Sequence, residues 1–388
     1  MSENLFAYTA TNSGYSEGTA GAINGERAAV ATALSAVKNK IDNPKLNGDP
    51  AFFNFFDRNS SRLVLRQYNY TSEPNRIIDP QGNWAVPLYS QGWSGVANLH
   101  GVATSGRWLF GTGYDLSKIA VVDMDSDYTQ TREYAFPADF PALFYVNKGS
   151  GYATYYDSVV ARFAISARGT LTYDNAYVTV GKNSFTLDLY DNKLYVCSLG
   201  GMQNAGSGNA DTNLCIVDLT NFTQTGVTTV TITNPTQKGD FRDISILDAN
   251  NVYIFAGHYD SGFANLVGSV YHTTLANITT PANWTEVVAV NDPGYLWGIH
   301  ADGSRLWFVK GTPIAVYDGT PTTAVTANRT FSITEMSDYT GGNLNSACFI
   351  APSIPTTRGL NLAVASKSLA SHIRLAKEAR ELAEKAKK

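Results

Sequence analysis

The stretch Arg107–Asp125 reads RWLFGTGYDLSKIAVVDMD, and much later Arg305–Thr320 reads RLWFVKGTPIAVYDGT. The two say nearly the same thing. Each belongs to a unit with an apolar strand, a turn, an aromatic strand, a second turn, and a strand ending in Val-Asp or Tyr-Asp. Further copies are FFNFFDRNSSRLVLRQYN at 52–69, ALFYVNKGSGYATYYDSVVARFAIS at 142–166, FTLDLYDNKLYVCSLGG at 185–201 with TNLCIVDLT after it, and FRDISILDANNVYIFAGHYDSG at 241–262. The first turn keeps one chemistry: Asp57-Arg58-Asn59, Thr104-Ser105-Gly106, Asn147-Lys148-Gly149, Asp191-Asn192, Asp248-Ala249-Asn250 and Asp302-Gly303. These residues tolerate positive φ or cap their own backbone, as tight hairpins require. VYIFAG and RLWFVKG are apolar on both faces, as strands sandwiched between neighbouring sheets must be.

The copies begin near 52, 97, 142, 185, 241 and 295. Four-stranded propeller blades repeat every ~40–50 residues, and each can bury its faces only against its neighbours. The N-terminal NLFAYTATNSGYSEGTAGAIN resembles a blade without its first strand, and NLNSACFIAP at 343–352 resembles a first strand with nothing after it. Paired, they make one composite blade that shuts the circle and leaves it no free edge. The expectation is an all-β, seven-bladed β-propeller over 1–355, closed by pairing of its N- and C-terminal strands, with six or eight blades as the alternatives. Residues 26–41, ERAAVATALSAVKNKI, read either as a helix or as the outer strand of the composite blade.

RWLFGTGYDLSKIAVVD resembles the repeats of YVTN/NHL-like propellers of secreted and surface-layer proteins, although the tetrapeptide of that family is absent. No Trp precedes an Asp, which removes the WD40 signature, and Gly-Gly occurs only at 200–201 and 341–342, which removes kelch repeats. The aspartate box of sialidases and the tryptophan docking motif of quinoprotein propellers are missing too.

Composition agrees. Of 388 residues only 16% are charged, below the usual quarter, while 22 Tyr, 18 Phe and 33 Gly suit strands and turns. A Lys-poor, Tyr/Thr/Asn-rich chain is expected to be extracellular or on the cell surface. The start MSENLFAYTA has neither a basic n-region nor an apolar h-region, so no signal peptide is read there, and no apolar run has the length of a membrane span. A net charge of -4 argues against a nucleic-acid partner. The three cysteines, Cys197, Cys215 and Cys348, cannot all pair within the chain. Cys197 and Cys215 fall on the two strands of one hairpin and read as buried thiols. The six N-x-S/T sites are what chance supplies in a chain this rich in Asn and Thr.

After Pro355 the pattern changes. Residues 356–366 read as a linker or an extra strand, and 367–388, KSLASHIRLAKEARELAEKAKK, as an amphipathic helix with Leu369, Ile373, Ala376 and Ala379 near one face. The tail carries seven basic and three acidic residues, leaving the preceding chain with 22 basic and 30 acidic. It reads equally as a native helix on the propeller or as an engineered helix appended for fusion or assembly.

The second turn of the repeat pairs a tyrosine with an acid: Tyr15 with Glu17, Tyr114 with Asp115, Tyr156 with Asp157, and Tyr259 with Asp260. A ring of phenols and carboxylates at one end of a propeller can bind a protein, peptide or glycan, although turn formation alone also explains these residues. The loop GGMQNAGSGNADTN at 200–213 is too polar to pack, and loops of that length are usually functional or floppy. Its Asp and Asn offer oxygen ligands for calcium, but without EF-hand or nonapeptide spacing no cofactor is expected. At the channel mouth stand His100, Arg242, Asp243, Trp297 and His300. No metal ligand set or nucleophilic motif emerges, and a lone histidine at a strand end is more often structural. The reading is therefore a non-enzymatic binding module, with use as a scaffold for the tail helix as a variant of it. The alternative is a hydrolase or lyase with a polar site at the channel mouth.

Overall fold

A computed structural model of the chain describes residues 5–11, 17–24, 45–47, 51–57, 62–67, 76–78, 99–105, 108–113, 118–123, 131–135 and 343–350, and 141–331 without 156–157, 202–203, 233–238, 294–296, 302–304 and 311–313. Residues 26–41, the 356–366 segment and the 367–388 helix lie outside the described residues.

Among the described residues the chain is all-β: six antiparallel sheets of four strands and one of three, with only two short 3-10 turns, Gln224–Gly226 and Pro281–Asn283. The sheet at 240–293 shows the plan, running Asp240–Asp248, Asn251–Tyr259, Asn265–Thr273 and Thr285–Pro293 as consecutive hairpins. The other sheets begin with Ala51–Asp57, Leu99–Ser105, Pro141–Asn147, Ser184–Tyr190 and Trp297–Ala301, at the starts of the sequence copies. The turns use the expected chemistry. Lys148 and Gly149 have φ of +47° and +79°, and Asp191 and Asn192 have +45° and +58°, the left-handed pairs that match strand twist. Asp248 caps its own turn, its Oδ1 accepting the N–H of Asn250 at 2.7 Å and of Asn251 at 3.0 Å.

Buried apolar clusters lie between consecutive sheets rather than within any one of them. Phe110, Val121 and Phe163 join the sheets at 99–135 and 141–179, and Tyr152, Val196 and Val217 join 141–179 to 184–230. Tyr195, Ile244 and Ile254 join 184–230 to 240–293, and Phe255, Ile299 and Phe308 join 240–293 to 297–331. One side chain recurs. The third residue of the second strand is Phe110, Tyr152, Tyr195, Tyr253 or Trp307, with exposures of 0%, 4%, 3%, 0% and 0%. The first four of these aromatics wedge against the following sheet. Wedging of this kind is how small sheets without a dry interior of their own become stable.

The first strands stand side by side: 343–350 next to 51–57, then 99–105, 141–147, 184–190, 240–248 and 297–301. Side chains stitch some neighbours together. Thr186 Oγ1 donates to the Arg242 carbonyl at 2.9 Å, and Asp188 Oδ2 accepts the Ile246 N–H at 2.9 Å. One sheet later, Asp243 Oδ2 accepts the Ile299 N–H at 2.8 Å and Ser245 Oγ accepts the Ala301 N–H at 3.0 Å. The first and last described strands meet in one sheet. Asn343–Ile350 pairs antiparallel with Leu5–Thr11, from Leu5 opposite Ile350 to Thr11 opposite Asn343, and Glu17–Asn24 and Lys45–Asn47 complete it.

Cys197 and Cys215 are buried free thiols. They sit on paired strands but one place out of register, so Cys197 faces the 240–293 sheet and Cys215 the 141–179 sheet. Burial pushes the Cys197 thiol well above its ordinary range, which keeps it inert.

Candidate functional site

The described part of the loop end is built by the 200–212 loop of one sheet and the 260–264 turn of the next. The turn is made by Asp260. Its Oδ1 accepts the N–H of Gly262 at 3.1 Å and of Ala264 at 2.8 Å, and its Oδ2 accepts the Asn265 amide at 2.9 Å. The Ala264 N–H first among these holds the Asp260 carboxyl below the usual carboxylate range. Asp260 is therefore occupied as a turn cap.

This turn lifts Phe263 into solvent. Phe263 is 48% exposed at φ +54°, a conformation that bulky residues rarely adopt. Its ring lies 5.5 Å from that of buried Tyr259, and the Arg242 guanidinium lies 5.5 Å from the centroid of the Tyr259 ring. Arg242, Tyr259 and Phe263 thus form a stack running from the interior to the surface.

Beneath the stack lies a buried polar cluster. A bulge between Phe241 and Asp243 turns Arg242 inward, where it is 0% exposed. Its Nε donates to the Gly257 carbonyl at 2.6 Å, and Nη2 stands 3.8 Å from Asp240 Oδ2. Burial lowers the guanidinium to about 10 and raises Asp240 to about 6. Asp243 is raised to about 7, burial again being the main cause and the nearby Asp188 charge adding to it. His258, also buried, is held below its ordinary value by desolvation and then by Arg242, so it is neutral at pH 7.

The polar loop at 200–212 is docked across the sheet boundary. Ala205 bridges Tyr259 in parallel, and the Gly206 N–H donates to the Tyr259 carbonyl at 2.7 Å. Asn209 donates its N–H to Asp240 Oδ1 at 2.5 Å and its side-chain amide to the Leu199 carbonyl at 2.8 Å. The loop continues the inner edge of the next sheet and roofs Asp240. Its polarity, which argued against packing, is consumed in these anchors.

Tyr259, Asp260 and Arg242 come together in this site. His300 lies elsewhere, half-buried on Trp297–Ala301, on the face turned away from the 240–293 sheet. His258 faces the 184–230 side, so the structure does not bring these two histidines together. His100 and Trp297 lie on the strands Leu99–Ser105 and Trp297–Ala301. Tyr15, Tyr114, Asp115, Tyr156 and Asp157 lie outside the described residues. Among the described residues no three of His, Cys, Asp and Glu gather as metal ligands, and no helix is long and apolar enough to cross a membrane. Sequence reasoning missed Phe263, Asn209 and Asp240. The only signal for Phe263 was a bulky aromatic directly after Asp260-Ser261-Gly262, where a turn prefers small residues.

No family model and no curated protein sequence matches the chain. Solved structures do. The computationally designed protein Ika8 superposes with a TM-score of 0.52 at 11% identity, covering 84% of this chain and 83% of its own. A functionally unknown protein from Desulfotomaculum acetoxidans gives 0.53 at 12% identity, covering 90% and 99%. Apo AztD from Citrobacter koseri gives 0.51 at 9% identity, covering 89% and 98%. AztD is a β-propeller protein, and at these identities the likeness is one of fold alone.

Proposed function

We propose that the chain is a closed seven-bladed β-propeller acting as a non-enzymatic binding module, with its ligand-contacting surface at the loop end around Phe263. The closed ring is supported most by Trp307 and Val316. They are cross-strand partners, while their neighbours Leu306, Phe308, Ala315 and Tyr317 pack toward the 240–293 sheet. Trp307 and Val316 therefore point the other way, yet are 0% and 2% exposed. The far face of the last sheet is covered, as a ring requires and an open stack does not. The pairing of 343–350 with 5–11 supports the same reading.

Binding is supported by Phe263. A half-exposed aromatic in a disfavoured backbone conformation is retained where it serves a contact rather than stability. The carboxylates nearby are occupied, Asp260 by its turn and Asp240 by Asn209, which favours recognition over acid–base chemistry. A rigid aromatic platform flanked by Asn and Ser loops suits a glycan or an extended peptide, and the acidic body disfavours polyanions. An extracellular or cell-surface location and assembly through 367–388 belong to the same proposal, resting on composition.

Arrays of neutral glycans and of peptides test this. Phe263→Ala is expected to weaken the selected ligand by tenfold or more, about the worth of one stacked aromatic. Phe263→Gly is expected to bind as poorly yet raise stability by about 0.5–1 kcal/mol, because glycine accepts the positive φ. Ligand binding unchanged in both variants sinks the assignment of this surface.

A further inference from the structure

His300 carries an inference that rests on the closed-ring reading. Opposite the recurring aromatic stand Ala103 and Tyr145 in the sheets at 99–135 and 141–179. In the next three sheets the position is polar: Asp188 opposite Tyr195, Ser245 opposite Tyr253 and His300 opposite Trp307. Each lies between residues that face the preceding sheet, so each points at the following one. At the first two positions the side chain accepts a backbone N–H from the neighbouring first strand, Ile246 for Asp188 and Ala301 for Ser245. A second stitch comes from Thr186 and Asp243, the residues opposite Cys197 and Phe255, but the corresponding residue opposite Val309 is Gly298, which has no side chain. On the last sheet His300 is therefore the polar side chain of that pair of positions.

The donor is fixed by the same register. Ile246 and Ala301 are opposite Val252 and Leu306, the residues just before the aromatics Tyr253 and Trp307. In the sheet that joins 343–350 to 5–11, the same apolar-aromatic pair is Leu5-Phe6, and Leu5 is opposite Ile350. We propose that His300 is the positioning residue of the ring's closing junction, its imidazole accepting the backbone N–H of Ile350 as Asp188 and Ser245 accept those of Ile246 and Ala301. A neutral imidazole has one nitrogen free to accept, so the chemistry fits. The histidine at the channel mouth is thereby a ring fastener rather than an acid or base.

Amide exchange resolved at single residues tests the proposal. In His300→Ala the Ile350 amide is expected to exchange about 2- to 12-fold faster, the worth of one hydrogen bond, with Ile246 and Ala301 unchanged. His300→Ser and His300→Asp, which install the acceptors used at positions 245 and 188, are expected to restore protection, and they keep the test open if the alanine variant folds poorly. If Ile350 exchanges at the wild-type rate in His300→Ala while the paired amides of 5–11 and 343–350 remain protected, the fastener is wrong and the ring stands. If those paired amides are unprotected in the wild-type protein, the closed ring itself fails.

Discussion

Trp307→Ala is expected to lower the free energy of unfolding by about 3–5 kcal/mol, the range for removing a fully buried large aromatic. The expectation depends on what lies beyond the last sheet. Trp307 faces away from the 240–293 sheet and is 0% exposed, so its indole is covered on the far side of its own sheet, where the proposed ring places the sheet that follows. At the end of an open stack the same side chain would be solvated, and its loss would cost within about 0.5 kcal/mol, as surface substitutions do. Phe255→Ala calibrates the measurement, because Phe255 packs against Phe308 between two described sheets, with ring centroids 5.1 Å apart. Comparable losses in urea unfolding for the two variants support closure. A full loss at Phe255 with almost none at Trp307 speaks for an open stack.

The second large effect is on the pH dependence of stability. Burial raises Asp243 from 3.8 to about 7 and Asp240 from 3.8 to about 6. Between those values the unfolded chain releases protons that the folded chain still holds, so stability from these groups is full below about pH 4 and is lost as pH rises toward 7. For Asp243 the loss amounts to about 4 kcal/mol at 1.36 kcal/mol per pKa unit. Asp243→Asn removes this ionisation while keeping one acceptor for the Ile299 or Ile244 N–H. The stability of D243N minus that of the wild type is expected to rise by a few kcal/mol from pH 4 to pH 8, whatever its offset at pH 4. Parallel curves for the two proteins would show that Asp243 is solvated, and with it that the junction between the 240–293 and 297–331 sheets is looser than its hydrogen bonds imply.

Much of the fold was legible because it is written in local chemistry. The hairpins at Asn147-Lys148-Gly149 and Asp191-Asn192 announce positive φ, and the recurring aromatic follows each turn at a fixed distance. The site was legible only in part. Tyr259-Asp260 was readable as a pair, but not that Asp260 would be occupied by its own turn while Phe263 became the exposed contact. The 200–212 loop was conspicuous, yet its docking through Asn209 onto Asp240 joins residues far apart in sequence and depends on a register that local patterning does not encode. The bulge that turns Arg242 inward is a single inserted residue and leaves no periodic trace.

Closure of the circle by its two ends is tested most directly with one cysteine. Ala7 and Cys348 are cross-strand partners, a spacing of about 4.5–5.5 Å between Cα atoms that a disulfide spans. Cys197 and Cys215 are buried on opposite faces of another sheet and do not compete. Oxidised Ala7→Cys protein at low concentration is expected to yield a single intramolecular disulfide between positions 7 and 348 in non-reducing peptide maps. Free thiols at both positions, or bridges only between molecules, would contradict the closed ring.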